Sequence, residues 1–242
     1  MLGQLYSPTG KALETAQQVL EIDNPLACNM AYGCINKCDY CYIPYIKKGE
    51  IRFPKQSPLE LVKKQLENGL KPEGVFLCFF TDPFIKPNLN VTKELVDFLI
   101  SKKIPMATLS KVDALLSDYK YMRIGMTIVS DDEFSKKFEP NATLPSKRIQ
   151  ILKMAHDYGF YTWVSIEPYP TPNKFEQSLV KLLSKINFVD FMIFGKWNYD
   201  KTTNDKEFYK KMVIIFKRYC EETGIRYFIK KDTLNFIGDI NA

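Results

Sequence analysis

Six cysteines occupy positions 28, 34, 38, 41, 78 and 220, and three of them fall within eight residues, in the stretch GCINKCDYCY at 33–42. The spacing is CxxxCxxC, with Tyr40 directly before the last thiol. Three thiolates this close along a chain can wrap one soft metal centre. In a chain with no basic-then-apolar segment at its start, such clustering favours metal over disulfides. Structural zinc asks for four ligands, commonly from a second CxxC or a histidine pair. The sequence holds a single histidine, His156, in an expected helix far downstream, although Cys28 could complete a set. Three ligands with one position left open are suited to a centre that binds a substrate or cofactor.

The elements that must carry this loop alternate short apolar runs with longer amphipathic ones. Strands are expected at 26–32, 74–80, 105–109, 122–129, 161–166, 188–194 and 225–229. The run GVFLCFF at 74–80 is apolar throughout, as a strand buried on both faces would be. Helices are expected at 59–70, 92–102, 112–119, 145–158, 175–186 and 206–223; the one at 145–158 opens on Pro145 and stops before Gly159. Recurring strand–helix units mean an α/β chain with a parallel sheet and right-handed crossovers. Six or seven units fall short of the usual eight, so a partial (β/α)6-type TIM barrel is expected. Residues 1–242 read as a single domain, with a core at about 25–200 and a C-terminal helix and short strand in 204–242. Active sites of such folds gather at the carboxyl ends of the strands.

CxxxCxxC with an aromatic before the last Cys, on a loop after the first strand of a partial barrel, resembles the radical S-adenosylmethionine (radical SAM) superfamily. Further stretches follow in order: FTDPF at 80–84, TLSK at 108–111, IGMTI at 124–128, KFEP at 137–140, Arg148, and SIEPYPTP at 165–172. Together they resemble the spore photoproduct lyase-like branch, over about residues 29–172. The resemblance implies a 4Fe–4S cluster held by Cys34, Cys38 and Cys41. Its open iron would chelate the methionine end of S-adenosylmethionine. One electron would then split that cofactor to a 5′-deoxyadenosyl radical.

The same resemblance points to cofactor-binding residues. Tyr40 packs near the adenine in the family. Thr81 stands where the family touches the methionine amino group, and Lys111 where a cation meets the methionine carboxylate. Thr127 corresponds to a hydroxyl near the ribose or carboxylate; Glu167 is expected from its own place at the end of the fifth strand, where an acid could accept ribose hydroxyls. Asp82 belongs with this set, or else caps the helix that follows it. True spore photoproduct lyases use a cysteine near the second strand as hydrogen donor. Cys78 is offset from that position, and strand alternation would turn it away from Thr81, so the role is not carried over. Cys78, like Cys28 and Cys220, reads as a small buried hydrophobe. An auxiliary cluster drawn from those three lacks any local motif. The tract FGKWNY at 194–199 should reach the strand ends, with Trp197 lining the substrate side; His156 reads as a partly exposed helix residue.

Hydrophobic residues make up 45% and charged residues 26% of the chain, a folded, globular balance. No apolar run approaches the ~20 residues of a membrane span, so a soluble cytoplasmic protein with no membrane partner is expected. The net charge of +6 favours anionic partners, with a nucleic-acid base among the candidate substrates beside a small metabolite or a peptide side chain. The chemistry further implies an electron donor such as flavodoxin or ferredoxin. Two other readings are a zinc-binding nucleic-acid adaptor without catalysis and an activase that places a glycyl radical on a partner enzyme.

Overall fold

The computed structural model describes residues 2–43, 51–113 and 121–238. By chain contacts it divides into two compact units, Met1–Lys37 with Cys41–Gly125, and Cys38–Tyr40 with Met126–Ala242.

The first unit opens with a feature the sequence reading lacks. A two-residue strand β1 (Leu5–Tyr6) runs antiparallel to β2 (Leu26–Cys28), and helix α1 (Gly10–Leu20) joins them. The mixed charge and Gln of α1 hide a narrow apolar stripe, with Ala16, Val19 and Leu20 buried. Helix α2 (Pro58–Glu67) leads to β3 (Val75–Leu77), and α3 (Leu89–Ser101) to β4 (Met106–Ser110) and then β5 (Met122–Thr127). Strands β2, β3 and β4 pair in parallel, and Met106 N bonds Tyr121 O at 2.7 Å as β5 begins. Helix α1 packs on β3 and β4. The expected helix at 112–119 falls almost wholly outside the described residues.

The expected strand at 74–80 stops at Leu77. Cys78 adopts φ 67°, in the left-handed region, although its N–H still reaches Cys28 O at 2.9 Å. The next two N–H groups leave the ladder for one side chain: Asn29 Oδ1 accepts from Phe79 N at 2.7 Å and from Phe80 N at 2.9 Å. Alternation therefore does not run from Leu77 to Thr81, and the inference that Cys78 faces away from the site lapses with it.

In the second unit α4 (Asp132–Phe138) and α5 (Pro145–Asp157) precede β6 (Thr162–Tyr169), and α6 (Leu179–Lys185) precedes β7 (Phe191–Lys196). A 3-10 turn at Lys201–Thr203, helix α7 (Lys206–Thr223), β8 (Arg226–Ile229) and α8 (Lys231–Ile237) complete it. β6, β7 and β8 pair in parallel, and Ile128 N bonds Ser165 O at 3.0 Å beyond the end of β5. Within each unit strand order follows chain order. This is the expected α/β alternation with parallel strands, apart from the antiparallel β1 edge. Among the described residues no helix is long and apolar enough to cross a membrane.

Candidate functional site

The cysteine loop leaves β2 through a clamp. Tyr32 and Arg52 exchange two backbone hydrogen bonds of 2.9 Å, and Gly33 N bonds Phe80 O at 2.9 Å. Gly33 sits at φ 93°, and a Cβ there would stand 3.3 Å from Ile51 Cα, so glycine answers both the backbone turn and the close approach. Cys34, Cys38 and Cys41 are half-buried free thiols, whereas Cys28, Cys78 and Cys220 are buried in the core. Among the described residues no group of three or more His, Cys, Asp or Glu side chains is drawn together as a bound metal would draw it. The donor set nonetheless suits an iron–sulfur cluster: three soft thiols within eight residues, with N–H groups directed at one of them. Asn36 N lies 3.5 Å from Cys34 Sγ. Burial pushes the Cys34 thiol up, while backbone N–H groups of Asn36 and Asp82 and the Lys111 charge pull the other way.

Asp82 is the hub of the first unit's strand ends. Its Oδ1 accepts from Phe84 N at 3.0 Å and Ser110 Oγ at 2.9 Å. Its Oδ2 accepts from Lys111 N at 2.8 Å and Asn36 Nδ2 at 3.3 Å. The carboxylate thus ties the cysteine loop and the ends of β3 and β4 together. It does not cap α3, whose N-cap is Asn88. Burial raises the Asp82 carboxyl above its ordinary value, against the donors from Lys111, Phe84 and Ser110. Thr81 is buried beside it and accepts from Asn88 Nδ2 at 3.1 Å. Lys111 directly follows β4. Cys78 belongs to the same neighbourhood: burial raises its thiol far above the ordinary value, with Cys28, Asp82 and Cys34 adding to the rise.

The second unit fixes the middle of the loop. Asp39 N bonds Phe138 O at 3.0 Å, and the Tyr40 hydroxyl donates to Glu139 Oε1. Glu139 is buried with Arg148 as an ion pair, and its Oε2 also accepts from Ser135 Oγ at 2.9 Å. Arg148 donates in turn to the carbonyl of Thr127, the last residue of β5. Burial, reinforced by the Glu139 charge, holds the Tyr40 phenol well above its ordinary value. The Tyr40 ring meets Trp197 edge-on at 5.3 Å. Trp197 is 4% exposed and touches Phe134 and Phe138 as well, so it supports Tyr40 from beneath and does not line an open face. Glu167 lies within β6, two residues before its end, and stands 3.9 Å from Lys230. His156 Nδ1 lies 3.2 Å from Thr162 Oγ1, a bond within the fold.

The family model described as the radical SAM superfamily matches residues 28–186, more than half of the chain. The chain belongs to the radical SAM superfamily. Its partial-barrel fold is shared with solved structures. One is a spore photoproduct lyase mutant with bound AdoMet and dinucleoside spore photoproduct, at 15% identity and TM-score 0.63, covering 85% of this chain and 76% of that one. Another is SuiB of Streptococcus suis bound to S-adenosylmethionine, at 13% identity and TM-score 0.57, covering 84% of this chain and 45% of that one. Among curated proteins, the uncharacterized protein ORF301 of Acidianus two-tailed virus is 26% identical over 191 residues, 69% of this chain. The chain spans 63% of that relative's length.

Within this radical SAM chain, sequence reasoning assigned no role to Asn29, Asn36, Glu139 or Lys230. Asn36 lies inside the cysteine motif and Glu139 inside KFEP, so both were within reach. Asn29 and Lys230 act through partners distant in sequence and carry no local signal.

Proposed function

We propose that Cys34, Cys38 and Cys41 hold a 4Fe–4S cluster and that the chain, acting as one radical SAM domain over 1–242, binds S-adenosylmethionine beside it. The observation that carries this reading is the contrast among the thiols: the three in one eight-residue stretch are half-buried on a loop, and the other three are core residues. Such a cluster, when bound, supplies the electron that splits S-adenosylmethionine to methionine and a 5′-deoxyadenosyl radical, which abstracts hydrogen from the substrate. The chain's residues hold and orient. Asp82 fixes the backbone of Lys111 so that its ammonium can meet the methionine carboxylate, with Thr81 beside it. Tyr40 offers an aromatic edge for the adenine, held by Glu139. Thr127 and Glu167 supply oxygens to the ribose. A damaged or modified nucleic-acid base is the proposed substrate, supported by the dinucleoside in the spore photoproduct lyase structure and by the net charge of +6. A flavodoxin or ferredoxin is the proposed electron donor. Free thiols suit a reducing compartment, hence the cytoplasm.

The test is anaerobic purification, reconstitution with iron and sulfide, reduction, and assay of 5′-deoxyadenosine formation. The expected result is a brown protein that forms it, and a colourless, inactive Cys34→Ala/Cys38→Ala/Cys41→Ala variant of unchanged circular dichroism. A protein that takes up one zinc and forms no 5′-deoxyadenosine would overturn the reading in favour of an adaptor.

A further inference from the structure

Glu167 is held from two sides by residues that lie beyond the segment matching the superfamily. On β7 its neighbour is Gly195, where an added Cβ would stand 2.7 Å from Glu167 Cγ and 2.8 Å from Cδ. A strand glycine at that distance marks a side chain laid flat against the backbone. The pairing of β6 with β7 shifts register between Ile166 and Tyr169, so Glu167 falls in the irregular stretch, where it leaves the regular alternation. Past Gly195, at the end of β8, the carboxylate meets Lys230 Nζ at 3.9 Å. Lys230 is rigidly placed: its N–H bonds Phe194 O at 2.9 Å, and its carbonyl accepts from Thr233 N at 2.9 Å. Its side chain is 3% exposed, against 25% for Glu167.

A buried ammonium demands a negative partner, and an ionised carboxylate can only accept hydrogen bonds. The contacts with Lys230 and Gly195 therefore leave Glu167 half-open and aimed, at the carboxyl ends of β6 to β8 where ligands of such sheets bind. We infer that Lys230 and Gly195 are positioning residues that present the Glu167 carboxylate to the vicinal ribose hydroxyls of the cofactor, and so set the preference for a ribonucleoside. The inference rests on the proposed binding of S-adenosylmethionine.

Equilibrium dialysis of the reconstituted, unreduced full chain against S-adenosylmethionine and its 2′-deoxyribose analogue tests it. The native chain should prefer the ribose form by about 10- to 100-fold, the worth of a hydrogen bond to a charged group. Lys230→Met should bring that preference below about threefold, and Lys230→Arg should keep most of it. Gly195→Ala leaves both charges in place and should erode the preference by displacing Glu167 alone. It decides the matter if Lys230→Met fails to melt cooperatively. A native chain that binds S-adenosylmethionine without preference, or a folded Gly195→Ala that keeps the native preference, overturns the inference and leaves the proposed function standing. A native chain that binds neither compound overturns both.

Discussion

The proposed thiol ligands need a loop of fixed shape, and here the shape of the loop's centre depends on one buried ion pair. Glu139 and Arg148 are both fully shielded from water, which costs several kcal/mol per charge before their attraction is counted. The cost is offset because each charge has further partners: Ser135 and Tyr40 for Glu139, and the Thr127 carbonyl for Arg148. Removing one charge strands the other. Arg148→Met should therefore lower unfolding free energy by about 3–5 kcal/mol. The double variant Glu139→Gln/Arg148→Met removes both charges and keeps a hydrogen-bonding group for Tyr40, so it should recover more than half of that loss. Urea unfolding of the native chain, of Arg148→Met, of Glu139→Gln and of the double variant checks this. A double variant whose loss equals the sum of the single losses would mean that the pair acts through packing and not through charge.

Elements that carry their own start and stop signals behave differently from those shaped by distant partners. Helix α7 is expected at 206–223 and forms at Lys206–Thr223 because its ends are written locally. Asp205 Oδ1 accepts from Phe208 N at 2.9 Å, and Gly224 closes the helix at φ 69°. Asp205→Ala should lower stability by about 1 kcal/mol, read as a lower urea midpoint at unchanged slope. No change in midpoint would mean that tertiary packing alone sets this end. β3 is the counterexample. Its apolar run continues past Leu77, so the local pattern reads as strand, but Asn29 takes the N–H groups of Phe79 and Phe80 from 50 and 51 residues away. The candidate site divides in the same way. The cysteine motif was legible because its chemistry is contiguous. The Tyr40–Glu139 bond spans 99 residues, and Lys230 reaches Glu167 from just past the end of β8, so neither contact leaves a mark in a local window.

At the scale of the whole chain the distinguishing quantity is charge. Much of it is neutralised where it stands: Lys63–Glu60, Lys93–Asp97 and Lys136–Glu133 are exposed pairs one helical turn apart. Such pairs contribute little to stability and little to a long-range field. What remains is the excess of 34 Lys and Arg over 28 Asp and Glu, enough to draw an anionic partner but not to grip it at many points. A nucleic-acid substrate and a small metabolite then differ in a measurable way. Binding to a polyanion releases condensed counterions, whereas a neutral metabolite releases none. Two to four phosphate contacts predict that affinity for a short single-stranded oligonucleotide falls roughly 7- to 50-fold between about 50 and 200 mM salt, from a slope of about −0.7 per contact. Fluorescence anisotropy of a labelled oligonucleotide with the reconstituted chain reads that slope directly. A flat salt response, or no binding at the lower salt, would remove nucleic acid from the substrate classes and turn the search toward uncharged metabolites and peptides. A slope in the expected range, retained in the triple cysteine variant, would show that the chain holds the polyanion by its protein surface, independently of the proposed cluster.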